Sequence, residues 1–344
     1  MRDLEPSYFA LVMATGIVSR AMRLDGAVAL SDVLLAIALA VFVVMSGVYA
    51  LRLLRYRREF AADARDPRRA FGFFTFGAAA GVLAAPLAAS GDTAPAAVLL
   101  VLAVSGWLLL SYVVPMLVGG EEAVRPPLAG ANGTWFVWAV GAQAVAVAAT
   151  AFPPPVPAAL AELGICCWVI GVVLYLVIAV LVATARLEFP LRPGDPTAPY
   201  WVFMGATAIS VLAGSQILRL RHDALAVAVH AAASGLSVMM WAFGTWLIPL
   251  LVALAGWRHL LCHVSLRYEP AFWAVVFPVG MYGGRQPRAR RRPARVVAGH
   301  AGPLRGLGGA GDVDGRRRGD GRVRPPPPQG PGSGARSSVI SWPL

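Results

Sequence analysis

The sequence predicts an all-α polytopic membrane protein assembled from repeated helical hairpins. Three observations carry that prediction. Residues of the AVILMFWYC class make up 58% of the 344-residue chain, only 14% are charged and the mean hydropathy is +0.65. The apolar residues fall in runs near 20 residues, long enough to cross hydrocarbon. Similar segments also recur at a nearly fixed spacing. This composition excludes a soluble globular enzyme and a disordered chain.

Windows bounded by charge, Gly or Pro give spans at 7–24, 31–51, 70–90, 95–118, 132–152, 158–185, 200–218, 233–257 and a ninth at 268–282. The first eight are read as full-length. The ninth has 13 residues from Pro270 to Tyr282, about 20 Å of helix against a hydrocarbon core of about 30 Å. The short, mixed-charge stretch Met1 to Pro6 precedes what reads as a first spanning helix, not a removed signal peptide.

The formal net charge of +12 is unevenly placed. All 30 basic residues are Arg, and 13 lie after Tyr282 against Asp312, Asp314 and Asp320, so the tail from Gly283 carries +10 and residues 1–282 carry +2. Within the spanning region, Arg52, Arg55, Arg57, Arg58, Arg65, Arg68, Arg69, Arg125, Arg186, Arg192, Arg258 and Arg267 occupy the even-to-odd loops. Only Arg20, Arg23, Arg219 and Arg221 occupy the odd-to-even loops. Twelve against four predicts a cytoplasmic N-terminus by the positive-inside rule.

The odd spans open alike, with aromatics followed by small residues: Tyr8, Phe9 then Gly16; Phe71 to Phe76 then Gly77 and Gly81; Trp135, Phe136 and Trp138 then Gly141; Tyr200, Trp201 and Phe203 then Gly205; Phe272, Trp273 and Phe277 then Gly280. Their starts are offset by 63, 64, 65 and 72 residues. Five hairpins in a ring would place five small-residue helices around an axis and Val/Leu/Ile-rich partners against lipid. An interfacial aromatic belt is the alternative source of this pattern.

The expected path is lined by Thr15, Gly16, Phe76, Gly77, Thr134, Gly141, Gln143, Gly205 and Thr207, with Ser19, Thr75, Asn132, Ser210 and Ser215 as further polar groups. Hydroxyls and amides solvate an anion without trapping it. Interhelical hydrogen bonding is the competing use of each. No charge falls mid-span on the odd helices, which fits a conduit that releases its solute. Phe277 beside the kink-forming Pro278 is the expected gate; Pro86, Pro115 and Pro249 have no adjacent aromatic.

Other groups read as structural. Cys166 and Cys167 are packing thiols on different sides of a helix. His259 and His263, with Cys262 nearby, share a face but lack a third ligand. Glu162 opens the sixth span, and His222, Asp223 and His230 fit an amphipathic segment before the eighth. No Walker A, GxSxG or HExxH sequence occurs, so neither an ATP-driven pump nor an enzyme is expected.

The segments Pro6 to Ser19, Asn132-Gly-Thr-Trp135, Trp201 to Thr207, Gly244 to Pro249 and Arg267 to Trp273 running on to Phe277-Pro-Val-Gly-Met281 resemble the tellurite-resistance/C4-dicarboxylate transporter family. That family shares a fold with the slow anion channels of plant guard cells. The similarity covers about residues 4–282 and rests on the combination of motifs. It implies ten helices in five hairpins around a quasi-fivefold central pore, in a homotrimer of the plasma or inner membrane. The solutes it implies are small anions or organic acids: malate and other dicarboxylates, sulfite, tellurite-linked species, chloride or nitrate. The family's gating phenylalanine falls on Phe277. No cofactor, metal or nucleic-acid partner is expected. A proton-coupled C4-dicarboxylate carrier and a nonconducting membrane scaffold are the alternatives.

The chain departs from that pattern after Tyr282. The ninth helix is short, and the tenth is missing or replaced by an Arg/Gly/Pro-rich segment, 283–344, of a composition that stays disordered. This divides the chain into a transmembrane domain, 1–282, and a tail. A shifted reading frame explains such a tail in GC-rich coding. Gly306 to Asp314 written GGA CTG GGT GGC GCT GGC GAC GTG GAC reads, one base on, as Asp-Trp-Val-Ala-Leu-Ala-Thr-Trp. A genuine tail binding lipid headgroups or nucleic acid is the rival; sequencing the gene separates the two.

Overall fold

The computed structural model describes residues 1–2, 4–120, 127–220, 224–265 and 270–283. The tail, Arg125, Arg221, His222, Asp223 and Arg267 lie outside the described residues. Every regular element among the described residues is helical.

The helices are α1 (Ala10–Leu24), α2 (Val28–Arg55), α3 (Arg57–Arg65), α4 (Phe74–Ser90), α5 (Thr93–Gly119), α6 (Pro127–Gly130), α7 (Phe136–Ala149), α8 (Ala158–Glu188), α9 (Trp201–Ile217), α10 (Ala224–Gly256) and α11 (Trp273–Gly283). α2, α5, α8 and α10 pack as hairpin partners on α1, α4, α7 and α9, and α11 packs between α1 and α9.

The short helices α1, α4, α7, α9 and α11 share one device: each is entered through a single 3₁₀ turn. The turns are Pro6–Phe9, Ala70–Phe73, Gly133–Trp135, Ala198–Tyr200 and Pro270–Phe272. Three contain proline in that first turn (Pro6, Pro199, Pro270), where its missing N–H costs nothing and its fixed φ suits the helix start. In the turn before α7, the Asn132 Oδ1 accepts from the Thr134 backbone N–H at 2.8 Å, a side-chain cap. α1 packs on α4, α4 on α7, α7 on α9, α9 on α11 and α11 on α1, and the five 3₁₀ turns touch in the same cyclic order. The 63–72-residue repeat therefore corresponds to a closed circuit of equivalent elements.

Burial separates the two sets. In the most apolar stretch of the α4 segment 89% of residues are buried, against 22% in α2. α2, α5 and α8 turn Val43, Met116 and Val180 outward at 69%, 76% and 66% exposure, the faces a lipid solvent covers.

Among the described residues six segments are long and apolar enough to cross a membrane, at Val28–Arg55, Ala70–Ser90, Thr93–Gly119, Ala158–Glu188, Ala198–Ile217 and Leu225–Leu261, against the expected eight full-length spans. The two that differ are 7–24, where the 3₁₀ turn and α1 run from Pro6 to Leu24 but carry Arg20 and Arg23, and 132–152, where Gly133–Ala149 forms a shorter apolar helix. Of the amphipathic segment expected before the eighth span, His222 and Asp223 lie outside the described residues and His230 lies within α10, which runs from Ala224.

Aromatics knit the seams between hairpins. Phe76 of α4 stacks on Phe42 of α2 and meets Phe9 edge-on, with centroids 5.4 and 5.3 Å apart. Phe136 of α7 stacks on Phe203 of α9 at 4.3 Å. The indole N–H of Trp107 on α5 donates to the Trp138 carbonyl of α7, and that of Trp168 on α8 donates to the Ser210 carbonyl of α9. Each latches a long helix to the short helix of the following hairpin, and each lies against a glycine there, Gly141 or Gly214.

Candidate functional site

A cavity of about 770 Å³ opens where α1, α4, α7 and α9 end. Its walls include Ser19, Arg20, Arg23, Pro86, Thr150, Gln216 and Arg219, and no Asp or Glu among the described residues. A narrow void continues from it between the short helices, bounded by Gly16, Ile17 and Arg20 of α1, Val82 and Ala85 of α4, Ala144 and Val147 of α7, and Ile209 and Leu212 of α9.

Small residues make this convergence possible. A Cβ on Gly81 would lie 2.8 Å from the Ala144 backbone, and one on Gly16 would lie 3.0 Å from Val82 Cγ1. A third void, between α1, α9, α10 and α11, shares Ile17, Arg20 and Leu212 and adds Trp241 and Met281. Arg20 borders all three.

Phe277 and Pro278 sit below the floor of this system, nearer the 3₁₀ turns. A Cβ on Gly280 of α11 would lie 2.8 Å from the Ile17 side chain, which fixes Gly280 at the level of the narrow void. Phe277 comes three residues earlier and is buried, with Pro278, against Gly205 of α9; a Cβ there would be 2.8 Å from Pro278 Cγ and 3.2 Å from the Phe277 ring. The structure thus brings together three of the predicted residues, Phe277, Pro278 and Gly205, and places Gly16 on the narrow void.

The other residues expected to line the path make hydrogen bonds or contacts within their own helices or with neighbouring helices and turns. Thr15 and Thr207 donate to the carbonyls of Leu11 and Met204 in their own helices, and Thr207 faces Gly244 of α10. Ser and Thr in helices satisfy themselves this way. Thr134 donates to Asn132 in the 3₁₀ turn. Gln143 is fully buried and donates from Nε2 to the Trp168 carbonyl of α8. Gly77 and Gly141 lie against Trp107, and Phe76 against Gly106 and Phe42. These residues hold short helices to long ones.

Arg20 was counted by sequence among the outer loop charges. It lies inside α1, one turn beyond Gly16, on the same strip of helix; that i, i+4 spacing from a small residue was the available signal.

A second charged cluster stands at the opposite end. Arg52 of α2, 1% exposed, pairs with Asp63 of α3 at 2.5 Å and donates to the Arg2 carbonyl; Arg69 reaches Asp63 at 3.0 Å. The Tyr49 hydroxyl donates to the Glu5 carbonyl. These bonds tie the N-terminus to the end of α2. His259 and His263 place their Nδ1 atoms near the carbonyls of Val264 and Leu261, and no group of three or more potential metal ligands occurs among the described residues.

Long apolar helices with exposed flanks around short, largely buried, small-residue helices define a multi-pass membrane protein. A family model described as voltage-dependent anion channel matches residues 3–284, and the chain belongs to that family. Two Methanocaldococcus jannaschii proteins, each named an uncharacterized transporter, are 24% and 23% identical over 293 residues, which is 82% of this chain and 82% and 83% of theirs. An uncharacterized membrane protein of Mycobacterium tuberculosis is 52% identical over 110 residues, 32% of this chain; the match spans 56% of that relative's length.

Proposed function

We propose that the protein conducts small anions or organic acids passively across the plasma or inner membrane, along the axis enclosed by α1, α4, α7, α9 and α11, with Phe277 and Pro278 as its constriction. The observation that carries this reading is the arginine-bearing, carboxylate-free cavity that narrows between the short helices and stops about one helical turn short of Phe277. Cationic walls favour anions in a pore. The closed circuit of short helices supports a quasi-fivefold arrangement, and the family supports anion transport. On this reading the N-terminus and the Arg52–Asp63 cluster face the cytoplasm, and the protein assembles as a homotrimer with one path per subunit.

Anion flux from proteoliposomes tests it. Phe277→Ala is expected to raise chloride or malate flux at least tenfold without a change in anion preference. Unchanged flux in the variant rejects Phe277 as the gate, and absence of flux from both forms rejects conduction. Malate uptake that requires an inward proton gradient would favour the coupled carrier.

A further inference from the structure

We propose that Arg20 and Arg219 form a capture site for a doubly charged anion, a dicarboxylate or a sulfate-like oxoanion, at the mouth of the path. The inference rests on the anion-conduit reading and names the residues that would select its solute.

Three guanidinium groups line the cavity, and they are not equivalent. Arg23 is paired with Asp32, which neutralises it. The guanidinium groups of Arg20 and Arg219 have no hydrogen bond or ion pair among the described residues, and no described carboxylate lines the walls. Arg20 is half-buried on α1, and Arg219 stands exposed just beyond the end of α9; both line the same cavity. Two like charges facing one partly desolvated space repel each other, and a mobile anion between them removes that penalty.

Two guanidinium groups on one space match an anion with two charges. The C-terminal ends of α1, α4, α7 and α9 open toward the cavity, and the negative ends of their dipoles oppose a dianion more strongly than a monovalent ion. The preference therefore rests on the arginines alone: a dianion pairs with both planar forks at once, a monovalent ion with one. Gln216 adds to the donor set: its Oε1 accepts from the Thr150 hydroxyl at 2.6 Å, and its Nε2 has no partner among the described residues. From this position the anion meets the narrow void directly, because Arg20 belongs to both spaces.

Equilibrium binding of radiolabelled succinate and sulfate to the full chain in nanodiscs, with chloride as competitor, tests the proposal. Wild type is expected to bind at least one divalent probe saturably, with chloride displacing it only at tenfold or higher concentration. R20Q and R219Q should each weaken that binding at least tenfold, and R20K should restore part of it by returning charge without the fork. Preference for succinate over sulfate, or the reverse, identifies the source of the dianion. Wild-type affinity in a folded R219Q, or no saturable binding of either probe to monodisperse wild type, overturns the proposal. Arg219 lies at the exposed rim, so its variant decides the matter even if R20Q fails to fold. Loss of binding in R219Q from a protein that shows no flux would sustain the capture site and reject the conduit.

Discussion

The short helices and the long helices are the two regions to compare. α1, α4, α7, α9 and α11 have 15, 17, 14, 17 and 11 residues; α2, α5, α8 and α10 have 28, 27, 31 and 33. The long set meets lipid and is specified by length and apolarity. The short set is largely buried against protein, with exposed positions such as Leu24 of α1 and Val279 of α11, and is specified by where side chains are small enough for backbones to touch. Similar hydropathy thus serves two different requirements: solvation by the bilayer outside, and tight packing without intervening water inside.

The largest expected effect breaks the short set alone. Gly81→Leu places a branched side chain where even a Cβ comes within 2.8 Å of the Ala144 backbone. Overpacking of this kind costs about 1–3 kcal/mol or more, so the variant should lose its monodisperse peak on gel filtration. Val43→Ala on the 69% exposed face of α2 should elute and melt as wild type; equal damage from both would dissolve the distinction.

Asp63→Asn comes next. It leaves Arg52 buried without its carboxylate, a loss of about 3–5 kcal/mol for a broken buried pair, visible as a lowered melting temperature. The predicted anion preference is unchanged, because this cluster lies at the end opposite the cavity.

Trp168→Phe is smaller. It removes one N–H donated to the Ser210 carbonyl, about 1 kcal/mol for a single hydrogen bond, and Trp107→Phe should match it at the preceding seam. Unequal losses would show that the two latches are not equivalent. Smallest of all, Thr15→Val should leave anion flux within twofold, because its hydroxyl is spent on the Leu11 carbonyl; a large flux change would return Thr15 to the path.

The hairpins were legible in sequence because hydropathy and the 63–72-residue period record long-range architecture directly. The aromatics that revealed the period include seam residues: Phe76, half-buried, packs between Phe9 of the turn before α1 and Phe42 of α2. Side-chain direction was not legible. Gln143 and Thr207 read as lumen polar groups, but each had a nearer carbonyl to satisfy. Arg20 falls inside the predicted span 7–24 but about one turn from its end, where sequence alone does not separate a loop charge from one carried inward on a continuing helix. Six sufficiently long and apolar spans among the described residues, in place of eight, reflect Arg20 and Arg23 within the first and the shortness of Gly133–Ala149.

The shortness of the inner helices has an electrical consequence. A 14- to 17-residue helix covers about 21–26 Å at about 1.5 Å per residue, less than the bilayer's apolar depth. On the proposed conduit reading, water in the 770 Å³ cavity would carry bulk conductivity inward, and the membrane voltage would fall over the septum between the narrow void and Phe277. The driving force, about 2.3 kcal/mol per unit charge at 100 mV, would then act across that thin layer, where a small displacement of Phe277 would change the resistance of the entire path.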